Sequence, residues 1–368
     1  MKKISYLELS AIFLAIIISF NSGINSYILK QDAGINSWIA IIISYIIGII
    51  PLLLTIYISN YKKELNLFEK NKHLYGDIFG TILNIFISII LFIIALTLLY
   101  NIVSFITTQF LYRTPMIITS TLLIILIIYC GTKEINVIAH VSIILMIINL
   151  LMFLTSNFSL IGDIKLDNLL PILKINHNKL LLSSIKIAII NILPIIIILI
   201  IPKDKITNEK KFTKWLIISY IIGTIISFIT IVTTIGVLGI YLTKAFEYSE
   251  YMVLKKIKLF GFLERVENII SMQWITEAYI YLTLIIYTIS KNIKQKNNNT
   301  FKYVSSIIGI FLIITSKYTF RNITIFNAFI NNQFIKIVSL LLLVYLLIII
   351  KILFNKYKER KLSKNSVV

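Results

Sequence analysis

Ten apolar runs of membrane-spanning length follow one another along this chain of 368 residues, at about 6–28, 38–58, 80–108, 115–131, 136–155, 184–201, 213–240, 267–289, 303–317 and 334–354. A helix needs roughly 20 apolar residues to cross about 30 Å of hydrocarbon, so the expected fold is an all-α polytopic membrane protein with about ten transmembrane helices. Composition agrees. Hydrophobic residues make up 58% of the chain and charged residues 14%, where a soluble domain carries about 25% charge. Disorder is excluded on the same ground, because disordered chains are poor in apolar residues. The longest gaps, about 156–183 and 241–266, leave no room for a soluble domain, so 1–368 reads as a single integral membrane domain with halves at about 1–155 and 184–354. The first run is not expected to be a cleaved signal peptide, since no small-residue cleavage site follows it.

Net charge is +20. In a soluble protein that would suggest nucleic acid. Here the Lys and Arg residues lie mostly in the short connections between apolar runs, which points to the lipid bilayer and to no nucleic-acid partner. Counted along a ten-span chain, 22 of the 36 basic residues fall on the side of the termini, and the positive-inside rule then places both termini in the cytoplasm. One cysteine, Cys130, gives no disulfide framework and no thiolate cage. His73, His140 and His177 are far apart in sequence, so no metal site is expected, and no sequence feature calls for a cofactor. Phosphate loops, HExxH and GxSxG are absent, and no enzyme activity is expected.

Two spans carry interruptions. In span 1, Asn21-Ser22-Gly23 stands near the middle; glycine loosens a helix, and Asn and Ser offer the backbone alternative hydrogen bonds. In span 6, Asn191 is followed by Pro194, and proline removes a donor and crowds the preceding turn. Interrupted helices at corresponding positions of two halves point to a transporter-type binding site at the midplane; a proline kink and a small-residue packing patch are the plainer alternative. Glu277 lies about ten residues into span 8, at a depth where a charge must face the bundle interior or a wet cavity. It reads either as an ion or proton site or a partner for a ligand amine, or as a neutral, hydrogen-bonded acid. Span 3 adds Tyr100 and Asn101 among several polar residues. The candidate ligand-binding residues are therefore Asn21, Ser22, Gly23, Tyr100, Asn101, Asn191 and Pro194. Within 241–266, Val253, Ile257 and Phe260 recur at helical spacing between Lys255, Lys256 and Lys258. That pattern fits an amphipathic helix, either a lid over a central site or a surface helix at the interface.

Several short stretches carry a family resemblance. They are Ile4-Ser5 with Leu7-Glu8-Leu9, then Asp32-Ala33-Gly34-Ile35-Asn36-Ser37-Trp38, and Thr114-Pro115 opening span 4. Gly131-Thr132-Lys133-Glu134-Ile135 and Asn168-Leu169-Leu170-Pro171-Ile172-Leu173 follow, and Glu264-Arg265-Val266-Glu267 precedes Trp274. Taken in order over nearly the whole chain, they resemble the permease-like B subunit of bacterial spore germination receptors, within the amino acid–polyamine–organocation transporter superfamily. The chain departs from the pattern at His140, where the family often has a basic residue, and in lacking a glycine at the span 6 interruption. The resemblance implies a five-plus-five inverted-repeat, transporter-like bundle with broken helices 1 and 6. It implies a place in the inner membrane of the dormant spore, a small-molecule germinant, often an amino acid, and A and C receptor subunits as partners. Germinant would bind at the broken helices and trigger germination. The rival expectation is a stand-alone ion-coupled amino acid permease.

Overall fold

The computed structural model describes residues 3–171, 177–255, 267–293 and 298–365, and these are helical with no named strand. Helices stand at all ten expected positions. Eight are long and apolar enough to cross a membrane: Tyr6–Asp32, Gly34–Asn60, Leu67–Gln109, Ile135–Asp163, His177–Ile200, Glu209–Ala245, Asn299–Thr319 and Ile323–Glu359. These are spans 1, 2, 3, 5, 6, 7, 9 and 10. Span 4, Met116–Gly131, is shorter at 16 residues. Span 8, Glu267–Asn292, runs for 26 residues and is more polar along its length, with Gln273, Thr276, Glu277, Thr283 and Thr288. The chain is thus an all-α polytopic membrane protein.

Local chemistry sets where helices begin. Ser5 caps span 1 by accepting from the Leu7 N–H, while its own N–H donates to Glu8 Oε2 at 2.9 Å. Asn66 and Glu69 repeat the same reciprocal device at the start of span 3, which satisfies donors that a helix N-terminus otherwise leaves free. Span 3 starts earlier than its apolar run because the polar stretch from Leu67 is also helical, with a bend at Gly76 before the membrane segment.

Packing places spans 1 and 6 at the centre. In its most apolar window, span 1 is 89% buried and span 6 is 83% buried, against 28% for spans 5 and 9. The peripheral helices show lipid an apolar stripe, as at Ile46, Ile50 and Leu53 of span 2, which share one helix face. Packed pairs also match when each helix is exchanged with the one five places on. Span 1 packs on span 7 as span 6 packs on span 2; span 1 on span 5 as span 6 on span 10; and span 8 on span 5 as span 3 on span 10. Spans 3 and 8, and spans 4 and 9, pack on each other.

Span 1 is tied down at its start and at its interruption. On one side, the Ile4 N–H donates to Lys205 O and the Thr207 N–H to Ile4 O, each at 2.8 Å, forming a parallel bridge between Ile4 and Ile206. On the other side, a short helix, Ser249–Lys255, packs against spans 7 and 8 and the Asn21–Asn25 turn. Tyr248, Ser249, Glu250, Tyr251, Val253 and Leu254 are buried. Ile257 and Phe260, with Lys256 and Lys258, lie outside the described residues, as do Ile172, Leu173 and the stretch 264–266.

Candidate functional site

Span 1 is a helix from Tyr6 to Ile18 and again from Ser26 to Asp32, joined by a wide turn at Asn21–Asn25. Within that turn Ser22 is extended (φ −86°, ψ 134°) and Gly23 takes φ +80°, ψ −78°. A side chain at that φ is strained, and there is also no space: a Cβ on Gly23 would lie 2.7 Å from Asn101 Oδ1. Asn101 reaches in from span 3 and donates from Nδ2 to Ser22 O at 3.2 Å. A carbonyl released by the break thus finds a partner, as buried backbone must.

A chain of amides and hydroxyls then links four spans. Asn25 Nδ2 donates to Asn21 Oδ1 at 3.1 Å and to Asn191 Oδ1 of span 6 at 3.0 Å. Asn21 Nδ2 donates to Ser227 Oγ of span 7 at 2.9 Å, and Ser227 pairs with the Tyr45 hydroxyl of span 2 at 2.7 Å. Asn25 and Asn191 are almost fully buried. Hydrogen bonds between helices at this depth act as positional glue.

Span 6 behaves differently. Its α-helix ends at Ile192, and a tighter 3₁₀ segment, Leu193–Ile200, continues it with Pro194 near the start. Every residue of that segment is buried. The Tyr345 hydroxyl of span 10 donates to Leu193 O at 3.3 Å and pairs with Thr55 of span 2.

Beside the span 1 break lies a cavity of about 40 Å³, room for a few waters. Its walls come from the break itself (Asn21, Ser22), span 5 (Ser156, Asn157), span 7 (Thr230, Thr234), span 8 (Trp274, Glu277) and the short helix (Glu250). Glu250 is 3% exposed, and neither of its oxygens has a hydrogen-bond partner at normal geometry. Burial pushes its carboxyl up; the Ser26 hydroxyl, the Lys30 ammonium and the Gly23 N–H face it and oppose that shift. Lys30 is itself engaged, donating to the carbonyls of Phe246 and Glu247. Trp274 is buried with its indole N–H unpaired. Phe105, Tyr248, Tyr251 and Trp274 form an aromatic cluster, with Phe105 and Trp274 centroids 4.5 Å apart. That cluster holds the short helix over the break.

Of the residues singled out by sequence, Asn21, Ser22 and Glu277 line the cavity, Gly23 and Asn101 shape the break, and Asn191 joins it through Asn25. Pro194 stands in the 3₁₀ segment, and Tyr100 packs between Phe320 and Phe326, at 5.0 and 4.6 Å between centroids. Sequence reasoning missed Asn25, Ser227, Tyr45 and Glu250. For Asn25 a signal existed: it follows Asn21 by four residues, one helical turn on the same face. Elsewhere, Glu8 near the start of span 1 pairs with His140 Nδ1 of span 5, the position at which the chain departs from the B-subunit pattern.

The family profile for spore germination proteins, of the permease type, matches residues 6–324. No curated protein matches the chain.

Proposed function

Because the chain belongs to the spore germination protein family, we propose that it is the germinant-sensing, permease-like subunit of a germination receptor. The observation that carries this reading is the opened turn of span 1. It borders a cavity lined in part by polar side chains and is hydrogen-bonded to the matching helix of the other half. Helix pairs that match on exchange five places along support a repeat of about 1–155 and 184–354. Five spans is an odd number, so the second half enters the membrane upside down relative to the first, the arrangement of inverted-repeat transporters.

In this mechanism a small germinant, an amino acid, binds at the break and favours one arrangement of spans 1 and 6 over another. A ligand shifts an equilibrium only by its differential affinity for the two states. Ligand contacts to Asn21 and Ser22 are such a source, because that turn connects directly to spans 2, 3, 6 and 7. Partner subunits of the A and C type read the change. Both termini face the cytoplasm, by the Lys and Arg distribution, and the membrane is the inner membrane of the spore.

One observation favours the rival, a stand-alone ion-coupled permease: Glu277, an acid in the cavity wall of span 8. Uptake of labelled amino acid into vesicles holding this chain alone separates the two. The sensing reading expects no gradient-driven uptake and a germinant response that requires partner subunits. Robust uptake by the chain alone overturns it.

A further inference from the structure

The cavity's charge is one-sided. Glu250 and Glu277 both line it, and among the described residues that line it there is no lysine, arginine or histidine. Lys30, a cation that faces Glu250, is held by two backbone carbonyls. No hydrogen bond or ion pair reaches the Glu277 carboxylate among the described residues; only its backbone carbonyl is used, by Ser19. Glu277, which no described cation neutralises, and Glu250, whose facing cation Lys30 is shared with two carbonyls, are costly as charges, because a charge shielded from bulk water needs both a counter-charge and hydrogen-bond donors. A protonated amine supplies both at once, with up to three N–H donors on one atom. Independently, the buried indole N–H of Trp274, in the same wall, has no acceptor among the described residues, and a ligand's carbonyl or carboxylate oxygen would satisfy it.

Resting on the sensing function proposed above, we propose that this cavity takes the protonated amine of its ligand, bridged between Glu250 of the short helix and Glu277 of span 8. The two acids come from different parts of the chain. Glu250 rides on the Ser249–Lys255 helix, which covers the break; Glu277 belongs to a membrane helix. An amine between them therefore draws the cover onto the bundle, so that recognition and closure are one event. The volume fits this division. About 40 Å³ leaves room for an ammonium head group between the two acids. Discrimination follows as well: a site built from acceptors rejects an analogue that lacks donors, because its own polar groups are left unpaired.

The test uses the purified full chain in lipid nanodiscs, with thermal stability read against L-alanine, ethylamine, propionate and sodium chloride. The expected result is stabilisation by L-alanine and ethylamine, with propionate at least about a hundred-fold weaker. Glu250→Gln and Glu277→Gln, which keep shape and hydrogen-bonding capacity, should each weaken the L-alanine response at least tenfold, with the ligand-free melting temperature serving as the folding control. Stabilisation by propionate equal to that by L-alanine overturns the proposal, as does stabilisation by sodium without the amines, wild-type binding in both variants, or no shift with either amine. These outcomes leave the sensing reading in place, since that reading fails on uptake by the chain alone, a result that says nothing about which end of the ligand the acids hold.

Discussion

Spans 1 and 6 hold matching places in the two halves, and both are interrupted, but span 1 opens at its interruption and span 6 tightens. The residue types account for the difference. Gly23 takes φ +80°, ψ −78°, a conformation that glycine adopts readily and residues with a Cβ adopt only under strain, and so the chain can turn aside and leave backbone groups free of the helix. Span 6 offers no glycine there. Pro194 fixes its own φ near the helical value, and Ile195, Ile196, Ile197 and Ile198 are stiff at χ1. The segment stays helical in a narrower form, buried on every side. An interruption in sequence is therefore not yet a site: glycine makes an opening, while proline followed by β-branched residues makes a wall.

Three experiments would sharpen or break that contrast. The largest effect is expected at Gly23. Gly23→Leu adds a branched chain where even a Cβ would lie 2.7 Å from Asn101 Oδ1, on top of the backbone strain, and should abolish the ligand response in spores while the protein still inserts. An unchanged germination dose–response would make the opening a packing feature only. A middling effect is expected where the two interruptions touch. Asn25→Ala and Asn191→Ala, singly and together, should give a coupling energy of about 0.5–1.5 kcal/mol in a double-mutant cycle of thermal stability. Strict additivity would mean that span 1 and span 6 are energetically independent. The smallest effect belongs to Pro194→Ala, because a proline at the start of a helical segment lacks a donor that had little use there. Its stability change should stay under about 1 kcal/mol in thermal unfolding. A large loss would show that the tightened segment depends on the ring after all.

The scaffold was legible because lipid imposes length: a run that can cross hydrocarbon must be a helix, and helices stand at all ten positions. The opening at Asn21-Ser22-Gly23 was legible for a similar reason, since glycine and asparagine inside an apolar run have few other uses. Span 6 was legible as interrupted but not in kind, because periodicity does not separate an opened turn from a 3₁₀ one. Glu250 was hidden. It sits in a stretch that reads as extramembrane, and only the packing of the Ser249–Lys255 helix on spans 7 and 8 carries it to the break. Ser227 and Tyr45 were hidden for the same reason, because each finds its partner across two helices and nearly two hundred residues.

The bridge between Ile4 and Ile206 is a seam written wholly in the main chain. Two amide hydrogen bonds join the residues that precede span 1 to those that follow span 6, and so the ends of the two interrupted helices are tethered to move as one body. Side chains take no part in either bond. Ile4 and Ile206 are buried, so an alanine at either position would report lost packing while leaving both amide bonds in place. A proline at position 4 or at position 207, by removing an amide hydrogen, would delete one of the two bonds.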